Sequence, residues 1–119
     1  MTAIRRIATD PRRSRAVVYN GVIYVGGQTA DDRSKDITGQ TQETLAKIDG
    51  FLADAGTDKS RLLTAQIWIK DITSDFEAMN EVWCAWTAPN AAPTRATAQC
   101  ALAHPDILVE IIVTAAVGE

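Results

Sequence analysis

A single histidine, His104, and two cysteines, Cys84 and Cys100, are the only imidazole and thiol side chains in 119 residues. There is no C-x-x-C pair and no Cys/His quartet, so the chain lacks the spacing that zinc or dithiol redox chemistry needs. Both thiols read instead as small buried apolar groups in a reducing compartment. No apolar run approaches the roughly 20 residues that cross a bilayer. Arg5 and Arg6 are not followed by the apolar segment of a secretory signal. The expectation is a soluble, cytoplasmic protein with no membrane partner. Repeats, low-complexity tracts and linkers are also missing, which makes residues 1–119 one domain, long enough to bury a core.

Positive charge is in short supply too. The net charge of −3 speaks against nucleic acid as a partner, since phosphate neutralisation supplies most of that affinity. The basic residues are nevertheless uneven: Arg5, Arg6, Arg12, Arg13 and Arg15 place five of the twelve in the first fifteen positions. They form either a solvated edge or an anion-facing surface.

What is present reads as an α+β layer. In "AVVYNGVIYVGGQ" (16–28), Asn20-Gly21 separates two β-branched and aromatic runs, the signature of a two-residue hairpin turn. Strands follow at about 16–19 and 22–27, with a shorter one near 3–7. Gly26-Gly27 marks either a bulge or a close approach of backbone or ligand. Leu45, Ile48, Phe51, Leu52 and Ala55 recur at helical spacing and predict a helix over 41–55, with a Glu43–Lys47 pair outside and Gly56 as its stop. In "LLTAQIWIK" (62–70), Leu63, Ala65, Ile67 and Ile69 alternate with Thr64, Gln66, Trp68 and Lys70, so Trp68 lies on a polar face that needs cover. Ser74 and Glu77 read as a capping box for a second helix, whose stripe of Phe76, Met79, Val82, Trp83 and Trp86 is core rather than a stacking platform. Strands at about 94–102 and 107–117 complete the order. Two helices on one face of a mixed sheet leave the other face open, and a second copy is the natural cover.

Two charged residues do not fit this pattern. Glu110 is the one ionisable group in "ILVEIIVTAAV" (107–117), a run apolar enough to be a central strand buried on both faces. A carboxylate there must be paired, hydrogen-bonded or protonated, and desolvation raises its pKa toward the range useful for proton transfer. In "APTRATAQC" (92–100) Arg95 stands where the strand should begin, and Arg95, Thr97 and Gln99 share a face opposite Ala96, Ala98 and Cys100. Arginine's planar fork suits a carboxylate. The two residues either neutralise each other, meet a neighbouring subunit, or hold a small acid beside the Gly-Gly backbone.

"VIYVGGQ", "GQTQETLAKIDGFLADAGTDKSRLLTAQIWIKDITSDFEAMNEVW", "APTRA" and "VEIIVTAAV" together resemble the Rid/YjgF family of imine deaminases, over residues 3 to 117. "MNEVWCAWTAPNAAPTRAT" is similar to a branch distinct from the archetype. The resemblance implies a chorismate-mutase-like fold assembled as a homotrimer, with ligand clefts between subunits. It implies hydrolysis of 2-imino or 2-enamino acids to 2-oxo acids and ammonia, without metal or cofactor. Arg95 then matches the arginine that clamps the substrate carboxylate, and Glu110 the acid that orients water. Thr97 takes the place of a cysteine whose carbonyl helps hold that water. Gly27 matches a backbone contact to substrate, and Asn80 a cleft asparagine. Arg13 stands where the archetype carries an aromatic residue, which implies an imine with an extra anionic or polar group, or a different acid. The alternative is a non-catalytic member that binds a small carboxylate. A nucleic-acid role is set against the acidic pI and the lack of a histidine beside a basic groove.

Overall fold

Asn20 and Gly21 take φ values of 52° and 81°, the left-handed pair that a two-residue hairpin turn requires. They join β2 (Ser14–Tyr19) to β3 (Val22–Gln28), and β1 (Arg5–Thr9) pairs antiparallel outside β2. The computed structural model describes residues 3–118. After this meander come α1 (Ile37–Asp54), β4 (Leu62–Ile69), α2 (Ile72–Trp86), β5 (Thr94–Gln99) and β6 (Val109–Ala116). The strands form one mixed sheet in the order β1-β2-β3-β6-β4-β5, antiparallel except for β4 with β5. Parallel pairing there follows from the crossover through α2.

Both helices lie on one face. Leu45, Ile48 and Leu52 of α1 and Met79 and Trp83 of α2 bury against Ile23, Ile67 and Ile111 of the sheet. The other face is left to solvent in the protomer, with Tyr24 half exposed on it. The α+β architecture expected from the sequence is the one observed.

Several local expectations are corrected. α1 begins at Ile37, four residues before the apolar periodicity, because the Asp36 side chain accepts from the Gly39 N–H at 2.9 Å. α2 is capped by Asp71, which accepts from the Ser74 N–H at 3.2 Å, so Ser74 is inside the helix and is not its cap. Glu43 pairs with Lys35 at 3.1 Å and Lys47 with Asp31 at 2.9 Å, rather than with each other, because the β3–α1 loop folds back along the helix. The register of β4 against β6 shifts between Leu62 and Thr64. That irregularity buries Leu62 and turns Leu63 out to solvent, against the simple alternation. Cys84 is exposed and Cys100 half buried, since neither lies on a core-facing position. β6 is buried on one face and half open on the other, because no element covers the second side.

Gln40 was not singled out by its sequence context, yet it staples α1 to the loop before β6. Its amide nitrogen donates to the carbonyls of Lys35 and Asp106 at 3.0 and 2.9 Å, and its oxygen accepts from the Leu108 N–H at 2.9 Å. The side chain is fully buried. Gln40→Leu leaves those backbone groups without partners and is expected to cost about 3 kcal/mol, read by urea denaturation.

Candidate active site

The register of the sheet decides which candidate residues meet. Arg95 on β5 pairs with Ala65 of β4, and Thr97 with Ile67. Ala65 and Ile67 are buried beneath the helices, so Arg95 and Thr97 point to the helix face. Glu110 on β6 pairs with Trp68, which looks to the open face. Trp68 lies three positions after Ala65, an odd offset, and the pleat therefore sends Arg95 and Glu110 to opposite sides of the sheet. Within one protomer they do not neutralise each other, and the polar stripe headed by Arg95 does not lie beside Gly26-Gly27.

Arg95 sits half buried on an edge strand, with its Nη1 donating to Asn80 Oδ1 at 2.7 Å. Its guanidinium carbon lies 5.8 Å from the ring centres of both Phe76 and Trp83. Two aromatic faces and one amide oxygen hold the cation without cancelling its charge. Among the described residues no carboxylate forms an ion pair with Arg95. Thr97 Oγ1 is buried beside it with no hydrogen-bond partner. Gln99 Oε1 accepts from the Ile72 N–H at 2.9 Å and so fixes the start of α2 to β5.

On the open face, Gly26 and Gly27 form the bulge where the β3–β6 register shifts between Val25 and Gln28. The missing side chain of Gly27 has a second use. A Cβ there would come within 2.9 Å of the Glu110 Cδ, so the carboxylate occupies the space that glycine vacates. Burial pushes the Glu110 carboxyl above its ordinary value, and the Arg13 guanidinium pulls it part of the way back.

Glu110 stands between two hollows. One, of about 510 Å³, is lined by Arg12, Arg13, Arg15, Arg33 and Lys47, with His104 and Gly27 at its margins. The other, of about 440 Å³, is mostly apolar and runs past Trp68, Ala98 and Leu102. Arg13 thus faces the same space as Glu110, and Arg12 and Arg15 share that hollow with it. Arg33 and Lys47 were not expected at the site, because they come from elsewhere in the chain, Arg33 from the β3–α1 connection and Lys47 from α1. His104 also corrects an expectation: a histidine does border a basic cavity. Among the described residues no group of three or more His, Cys, Asp or Glu side chains is placed to hold a metal ion.

The candidate residues therefore fall into two groups on opposite faces: Arg95, Asn80 and Thr97 under α2, and Glu110, Gly27 and Arg13 on the open sheet. A half-buried carboxylate can hold a water and move its protons. A caged guanidinium at an edge can take a carboxylate delivered from outside.

Comparison with known proteins places this geometry in a family. The endoribonuclease L-PSP family profile matches residues 3–117. A RutC family protein of Haemophilus ducreyi is 45% identical over 115 residues, covering 97% of each chain. RutC family protein YoaB of Escherichia coli is 40% identical over 114 residues, covering 96% of this chain and 98% of its own. The crystal structure of a YjgF family member from Neisseria meningitidis superposes with a TM-score of 0.94 at 39% identity, covering 98% of this chain and 97% of that one. With sequence profile, relatives and fold in agreement over nearly the whole length, the chain belongs to the endoribonuclease L-PSP family, also known as YjgF/Rid/RutC.

Proposed function

We propose that the protein hydrolyses 2-imino and 2-enamino acids to 2-oxo acids and ammonia, in clefts completed between copies of the chain in a homotrimer. One observation carries the reading: a half-buried carboxylate, Glu110, seated over Gly27 on a sheet face that one protomer leaves uncovered. Arg95 lies on edge strand β5. An edge arginine of one copy is therefore free to join the Glu110 face of the next, where the two would meet across an interface.

The chemistry suits these groups. Arg95 holds the substrate carboxylate in its planar fork, with Asn80 and the two aromatic rings fixing its direction. Glu110 holds the water against C2. An enamino acid first takes a proton on C3 and gives one up from nitrogen, becoming the imine; adding water then puts its hydroxyl on C2 and one proton, relayed by Glu110, on nitrogen. Collapse of the carbinolamine moves the hydroxyl proton by the same route, breaks the C2–N bond and releases ammonia. Imines hydrolyse spontaneously, so orientation and proton transfer suffice. The Thr97 carbonyl and Gly27 backbone take supporting places around water and substrate.

A second reading is a non-catalytic receptor for a small carboxylate. It is favoured by Arg95 being satisfied by Asn80 and its aromatic cage on the face away from Glu110. The two readings separate in one assay. 2-Iminopropanoate is generated with an amino-acid oxidase, and its loss is followed by competition with semicarbazide. Accelerated ketoacid release that disappears in Arg95→Ala is the expected result. Equal rates for wild type and variant refute the deaminase. A melting temperature raised by carboxylates with no turnover favours the receptor.

A further inference from the structure

Five of the chain's twelve lysines and arginines line one cavity, in a protein whose net charge is −3. Hydrolysis of a simple imino acid needs one cation, and Arg95 already supplies it. We propose that Arg13 and Arg33, with Arg12 and Arg15 around them, form a receptor for a second anionic group, so that the preferred ligand is a 2-imino or 2-oxo acid with a carboxylate or phosphate on its side chain. The proposal rests on the deaminase reading for the acid end of the ligand and on this cavity for the other.

The charge in the cavity is not spent internally. Lys47 is committed, donating to the Thr29 carbonyl at 2.8 Å and to Asp31 Oδ1 at 2.9 Å. Asp10 lies at the β1–β2 turn, where it accepts from the backbone N–H groups of Arg12 and Arg13 at 2.8 and 3.1 Å. That leaves four guanidiniums against Glu110, Asp10 and the already paired Asp31. Among the described residues none of the four forms an ion pair within the protomer. Arginines left unpaired in a concave wall present planar forks to an incoming oxyanion, and the walls concentrate their field.

The size and setting favour a small dianion over a polymer. The cavity is about 510 Å³, the scale of a metabolite-sized site. The rest of the surface carries the excess negative charge, which repels an extended polyanion. Glu110 lines the same cavity, so the reacting carbon must reach it while the second anion meets the arginines.

Calorimetry on the intact protein tests this with 2-oxobutanoate as the monoanion, and 2-oxoglutarate and phosphonopyruvate as the two kinds of dianion. Wild type is expected to bind at least one dianion about tenfold or more tighter than 2-oxobutanoate, with steeper loss in salt. Arg13→Gln/Arg33→Gln is expected to erase that preference, weakening the dianions far more than 2-oxobutanoate. Arg61→Gln, which removes a charge outside the cavity, is expected to keep it. Whichever dianion loses more affinity in the double variant identifies the side-chain group. Binding of 2-oxobutanoate with no dianion preference overturns this proposal and leaves the deaminase standing. No acid bound by wild type overturns both. Tighter binding of a short single-stranded RNA, with a salt slope of several charges, overturns it in favour of a polyanion groove.

Discussion

Glu110→Gln is expected to slow imine hydrolysis by about a thousandfold while leaving the protein at least as stable as wild type at neutral pH. The two halves of that result have one cause. Burial lifts the Glu110 carboxyl above its ordinary value, and Arg13 only partly offsets this. The folded state therefore binds the proton more tightly than the unfolded chain. Stability on this account falls as pH rises from the unfolded pKa through the folded one, and at neutral pH the folded protein carries a charge it has partly desolvated. Glutamine keeps the shape and removes that charge. It also removes the proton acceptor. In wild type the rate is expected to fall as pH drops through the raised pKa, because the base must be ionised. Arg13→Gln takes away the lowering influence, so the acid limb of the profile moves to higher pH. Single-turnover rates across pH, with a thermal melt of each variant, check both parts. Near-wild-type turnover in Glu110→Gln would refute the assigned role.

Gly27→Ala is expected to remove most activity, about a hundredfold, without unfolding the protein. The added Cβ falls within 2.9 Å of the Glu110 Cδ, and the neighbours it meets belong to that one side chain. A glutamate end can swing away at little cost, whereas a backbone could not. The fold survives, then, and the carboxylate leaves the position from which it reaches water. Adding Glu110→Asp to Gly27→Ala shortens the obstructed side chain and is expected to restore part of the stability but not the rate. A large fall in melting temperature for Gly27→Ala alone would show that the glycine serves the bulge and not the carboxylate.

Much of the fold was legible because it rests on local rules. The Asn20-Gly21 turn, the helical stripe of Leu45, Ile48 and Leu52, and the alternation through Ala65, Ile67 and Ile69 each follow from residues a few positions apart. Where a competing local partner existed, reading failed. Asp36 and Asp71 took the caps ahead of the apolar periodicity and of Ser74, because a cap depends on one hydrogen bond and leaves no pattern. Leu63 turned outward because a bulge inserts one residue, and a period-two pattern cannot announce it.

The candidate site divides along the same line. Composition alone marked Glu110 as a carboxylate that needed a reason, and Arg95 as a cation that needed a partner. It also set five arginines in the first fifteen residues. Only the tertiary structure decided that Arg95 and Glu110 lie on opposite faces, that Asn80 and two aromatic rings hold the arginine, and that Arg33 and Lys47 join the N-terminal arginines around one cavity. The reason is sheet register. Side-chain direction along one strand is set by parity, which sequence gives, but the direction of one strand relative to another depends on pairing across the sheet, here Ala65 with Arg95 and Trp68 with Glu110. A shift of one residue in either pair would have put both charges on the same side, and no single segment of the chain contains that information.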